Sequence, residues 1–171
     1  KTASEFPDLF QSLFLLDSII VVPPDKTRSF SGRGSMVRMD TTYDDLDTAI
    51  DSFRLIPPQP CNNDYLLKHI AKHSFKELGQ RWVLKSDGKI MRTYQYEDLT
   101  DIFMGLKCPI YLVYGLMSQI FSQELLEYTT YVANLPEERV VGIPGAMHHL
   151  FIDQPVVFIE KIKELLKLGA N

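Results

Sequence analysis

The chain has 171 residues, 45% of them apolar, and a formal net charge of −4, which is enough for one compact domain with a single core. It carries no Lys/Arg-rich run or basic stripe, so no nucleic-acid partner is expected. Its longest apolar stretch, Leu13 to Val22, is broken by Asp17 and Ser18 and falls short of the roughly 20 apolar residues that a bilayer span needs, so no membrane partner is expected either.

Lys1 to Pro7 reads as the end of a helix; Lys1 opens into a polar segment without an apolar h-region, so no signal peptide is expected within the given residues. Ser12 to Leu16 is a continuous apolar run of the kind that forms a strand buried on both faces of a parallel sheet. A long middle region follows. Pro23-Pro24 and a polar stretch from Asp25 to Ser35 open it. Tyr43 to Phe53 is then predicted as a helix with Leu46, Ile50 and Phe53 on one side. After the breaker Pro57-Pro58-Gln59-Pro60, Tyr65 to Leu78 is predicted as another. Trp82 to Lys85 reads as an extended piece ending in a Ser86-Asp87-Gly88 turn, and Tyr96 to Met104 as a short helix leading back.

The last third alternates. Pro109 to Tyr114, ended by Gly115, and Arg139 to Ile143, ended by Pro144-Gly145, are two more apolar strands. Between them Ser122 to Asn134 places Leu125, Leu126, Tyr128, Thr129 and Val132 at roughly helical spacing, which makes a βαβ unit. Pro155 to Leu168 is predicted as a final helix, with Pro155 in its first turn, a broad apolar face, and Gly169 at its end. The predicted organisation is α/β: core at 1–22, a helical insertion at 23–107, and core again at 108–171. With three strands the sheet is small, and the simplest account is that earlier strands lie on polypeptide absent from this chain. The two cysteines, Cys61 and Cys108, sit in no Cys-x-x-Cys or Cys/His cluster. Neither a disulfide framework nor a metal site is expected of them, and two lone thiols fit a reducing compartment, hence a cytoplasmic location.

Three phrases in order resemble the C-terminal portion of the α/β-hydrolase family. Phe6-Pro7-Asp8-Leu9-Phe10-Gln11-Ser12-Leu13-Phe14-Leu15-Leu16-Asp17-Ser18 is similar to the family's passage into its sixth strand. Pro109 to Gly115 is similar to its seventh. Ile143-Pro144-Gly145-Ala146-Met147-His148, followed by Leu150-Phe151-Ile152-Asp153-Gln154-Pro155, is similar to its histidine turn and last helix. The resemblance implies a partial α/β-hydrolase fold whose middle is a helical cap. It implies His148 as general base and acid, a role suited to an imidazole at the carboxyl end of a parallel strand. His149 is out of phase with the Pro155 spacing and reads as a neighbour.

In most of the family an acid follows the seventh strand, where this chain has Ser118. Asp17, at the end of the sixth strand on the same sheet edge, is the expected replacement; Asp153 fits a cap of the last helix better. No Gly-x-Ser-x-Gly turn is present: Ser35 in Gly32-Arg33-Gly34-Ser35-Met36 lacks the spacing, and Ser18, Ser118 and Ser122 fail the same test. The resemblance therefore places the nucleophile upstream of Lys1.

The implied whole is a serine-type hydrolase of small esters or related acyl substrates, needing no cofactor. This chain alone is expected to be inactive, and to be accompanied by its missing N-terminal half or by another copy of itself. Two other readings stay open: a hydrolase-like binding or receptor protein, and a dehalogenase-like hydrolase with an upstream aspartate nucleophile. Three further signals carry less. His69 and His73 lie one turn apart, but without the glutamate of His-Glu-x-x-His they read as a solvated helix face. Arg54 is either a buried tie or a plain helix terminus. Phe75, Trp82 and Phe121 either line a pocket or pack.

Overall fold

The computed structural model describes residues 1–26, 41–87 and 97–168. Ser35, Gly88, Tyr96 and Gly169 lie outside them, so the turns and caps expected there are not part of the description. In chain order the strands are β1 (Leu13–Leu16), β2 (Thr42–Tyr43), β3 (Phe75–Leu78), β4 (Arg81–Leu84), β5 (Ile110–Gly115) and β6 (Val140–Ile143). The α-helices are α1 (Thr2–Glu5), α2 (Leu46–Ser52), α3 (Asp64–Ser74), α4 (Thr100–Met104), α5 (Gln123–Val132), α6 (Leu150–Asp153) and α7 (Pro155–Leu168). The chain divides into two compact units, one of residues 1–25 with 97–171 and one of residues 26–96.

The first unit is built on a parallel sheet of order β1-β5-β6, with Leu13 opposite Ile110 and Leu112 opposite Val140. Central β5 explains why its sequence is apolar without alternation. Ile110 and Leu112 face one way, into a cluster with Leu15, Phe103 of α4, Phe121 and Val132 of α5. Tyr111 and Val113 face the other way, against Ile143, Ala146, Leu150 and Leu165 of α7. Helices thus cover both faces, as a parallel sheet requires. Leu112 and Val113 are both wholly buried; removing such a side chain from water is worth about 1.5–3 kcal/mol. The βαβ unit forms where expected. Ser122 caps α5 through the Leu125 N–H (3.3 Å), and Asn134 ends the turn beyond it at φ 46°. Short polar side chains are the ones that cap helix starts and tolerate left-handed stops.

The second unit departs from the helical expectation. The helix predicted over Tyr43 to Phe53 starts later, because Asp45 caps it: its carboxylate accepts the Thr48 N–H (2.7 Å) and hydroxyl (2.8 Å). Those bonds hold the exposed Asp45 carboxyl below its ordinary value. Tyr43 falls in β2 instead. The helix predicted through Leu78 stops at Ser74, and Phe75–Leu78 turns back as β3 of a three-stranded antiparallel sheet, order β2-β4-β3. Two causes are visible. Gly79 (φ 66°) and Gln80 form a two-residue loop between paired Leu78 and Arg81, and a glycine in the first position of such a loop matches the twist of a hairpin. Phe75 is buried, with the Tyr43 and Phe53 rings edge-on at 5.8 and 6.3 Å. Burial of one aromatic decided what the helical pattern of the sequence did not. Arg54 is a helix terminus, its exposed guanidinium donating to the carbonyls of Asp51 (2.8 Å) and Phe53 (2.7 Å).

Candidate active site

All three parallel strands end at one sheet edge, and the loops that follow them hold the candidate residues. β1 ends in Asp17, which takes a left-handed turn (φ 47°) that aspartate accepts more readily than most residues. Its N–H still bonds the Val113 carbonyl (2.8 Å), so the carboxylate stands at the mouth of the β1–β5 pair. There it is wholly buried. A buried carboxylate is costly without partners, and Asp17 has three. Oδ1 accepts the Gly115 N–H at 2.9 Å. Oδ2 accepts the Ser118 hydroxyl at 2.7 Å and lies 2.8 Å from His148 Nδ1.

His148 reaches this point because its loop is folded tightly against the end of β5. The N–H of Leu116 bonds the Ile143 carbonyl (3.1 Å), and that of Met117 the Ala146 carbonyl (2.9 Å). Gly145 turns the loop at φ 71°. Asp153 ends α6, and its carboxylate accepts the Met147 N–H at 2.7 Å, which braces the histidine loop. The approach leaves no room for a side chain at Gly115: a Cβ there would collide with the carbonyl oxygens of Ala146 and Met147 and lie 2.9 Å from the Ala146 carbonyl carbon.

The pair Asp17–His148 expected from the sequence is thus in hydrogen-bonding contact. The contact is satisfied by the tautomer in which Nδ1 donates to the carboxylate, which leaves Nε2 without a proton. About a quarter of the His148 side chain is exposed (27%), while Asp17 is sealed. His149 is the neighbour that its spacing implies, its ring edge-on to His148 at 4.9 Å. Two residues escaped the sequence reading. In the sequence Ser118 stands where the family's usual acid would and fails the nucleophile spacing, and Gly115 marks a strand end; a glycine closing an apolar strand beside a histidine loop is the available signal for close backbone approach.

The His69 and His73 rings lie one turn apart, tilted at 58° with centroids 4.7 Å apart, and no group of three or more metal-ligating side chains occurs among the described residues. Phe75 and Phe121 are buried packing residues, each within its own unit. Cys61 and Cys108 are both free thiols. No described helix is long and apolar enough to cross a membrane.

A parallel sheet covered by helices on both faces, with a histidine and a carboxylate on the loops at its carboxyl edge, defines a class: the α/β-hydrolase fold. Solved structures agree. The chain is similar to E-2-(acetamidomethylene)succinate hydrolase (TM-score 0.75, 18% identity, covering 96% of this chain and 60% of that one). It is similar to an esterase from Mycobacterium tuberculosis (0.67, 21%, 96% and 55%). A third is a peroxisomal α/β-hydrolase from Saccharomyces cerevisiae (0.69, 12%, 96% and 47%). The chain therefore has the α/β-hydrolase fold, in the form of its C-terminal portion, and spans about half to three fifths of the length of these relatives. No protein-family model and no curated protein matches the sequence.

Proposed function

We propose that this chain contributes the acid and base of a serine-type hydrolase site acting on small esters or related acyl substrates, with the nucleophile on polypeptide that this sequence does not include. The observation that carries the reading is the 2.8 Å contact between His148 Nδ1 and the buried Asp17 carboxylate at the carboxyl edge of a parallel sheet. In this scheme Nε2 of His148 takes the proton from an attacking hydroxyl and returns it to the leaving group. Asp17 holds the ring in the required tautomer and stabilises the imidazolium that forms. The free thiols fit a cytoplasmic setting.

The missing part is expected to pair with β1, whose outer edge pairs with no described strand. An unpaired edge invites either the rest of the sheet or a second copy. Fluorophosphonate labelling of the purified protein, with a short acyl ester assayed alongside, tests the reading. A labelled serine on associated or preceding polypeptide supports it. Halide release from a short haloalkane, with neither label nor ester turnover, would point to an aspartate nucleophile, and none of the three to a binding protein.

A further inference from the structure

The Asp17 carboxylate is not held by its histidine alone. Ser118 Oγ donates to the same oxygen, Oδ2, that receives His148 Nδ1. The serine itself is held by two backbone donors, the N–H groups of Ile120 and Phe121, each 3.3 Å from Oγ. With its lone pairs so engaged, the hydroxyl proton has one direction left, toward Asp17. Its own N–H bonds the Gly115 carbonyl (3.0 Å), which ties the whole turn to the end of β5. A hydroxyl that accepts from backbone while donating to a carboxylate is polarised, and each bond in such a chain strengthens the next.

We propose that Ser118 is a positioning residue of the site: it fixes the orientation of Asp17 Oδ2, and through it the direction in which His148 presents its ring. The inference rests on the reading of Asp17 and His148 as acid and base. Its mechanism is geometric. Gly115 N–H anchors only Oδ1. Without the serine, Oδ2 keeps a single partner, on a side chain that is itself partly exposed. The carboxylate can then turn about its anchored oxygen, and the imidazole can follow or part from it.

The test is the proton on His148 Nδ1, which a hydrogen bond to a carboxylate shields from exchange and moves to low field in a proton NMR spectrum. In the full-length protein this resonance is expected in the wild type and in Ser118→Thr, which keeps the hydroxyl. It is expected to vanish into solvent exchange in Ser118→Ala. Ser118→Cys, nearly isosteric and a weak donor, is expected to shift and broaden it, and serves if the alanine variant does not fold. A folded Ser118→Ala or Ser118→Cys protein that keeps the resonance at its wild-type position overturns the proposal. The measurement needs no turnover, so it stands apart from the catalytic reading, which the labelling experiment decides.

Discussion

Replacing Gly115 by alanine adds one methyl group, and the structure sets the sign of its effect. The position is in a β-strand, and its φ is not in the left-handed region. On backbone grounds alone, alanine would be the better residue by roughly 0.5–1 kcal/mol. Against that, the new Cβ collides with two carbonyl oxygens of the histidine loop and lies 2.9 Å from the Ala146 carbonyl carbon. These are backbone atoms, held by the Met117–Ala146 and Leu116–Ile143 hydrogen bonds and by Asp153, so they cannot swing aside as a flexible side chain would. Forcing a methyl group into a packed site typically costs about 1–3 kcal/mol. The net expectation is a loss of about 1–2 kcal/mol, read as a lower midpoint in urea unfolding followed by circular dichroism, with the slope unchanged. The loop displacement should also pull His148 from Asp17, and misplacement by about 1 Å can cost on the order of 100-fold in rate. A Gly115→Ala protein as stable as the wild type, or more so, would refute the claim that strand β5 and the histidine loop are in obligatory close contact.

Thr129, on α5, is fully buried and its hydroxyl has no hydrogen-bond partner among the described residues. Thr129→Val should therefore raise stability by about 1 kcal/mol, measured as a higher urea midpoint, because the methyl fills the same space without an unsatisfied oxygen. The Asp45 carboxyl is held below its ordinary value by the bonds from Thr48, so the stability it adds is complete above the unfolded-state value of 3.8 and is lost as pH falls through the lower folded-state value. The Asp45→Asn variant should show a shallower acid loss of stability in urea titrations from about pH 5 to pH 2. Asp98 acts in the same direction, through its bonds to the Thr100 hydroxyl and N–H, so part of the slope should survive.

The elements that the sequence states clearly are those buried on both faces. β5 is legible as an apolar run closed by glycine, because a strand covered twice tolerates no polar residue. Asp17 was legible for the same reason in reverse, since a carboxylate ending an apolar run demands a partner. The second unit was less legible. Phe75 to Leu78 continues a helical pattern locally, and only the long-range packing of Phe75 on Tyr43 and Phe53, with the Gly79-Gln80 loop, turns it into a strand. Ser118 was the hardest. Its partner is 101 residues away in the chain, and nothing in its neighbourhood marks a serine that holds a carboxylate.

The most direct measurement compares wild type and His148→Ala, each expressed in its full encoded length, for fluorophosphonate labelling and hydrolysis of a short acyl ester. The account predicts that the wild type takes the label on a serine and turns over ester, and that His148→Ala loses the label and falls by about 10²–10⁴-fold in rate or more. A His148→Ala protein that labels and turns over as the wild type does would contradict the assignment of this histidine as the base.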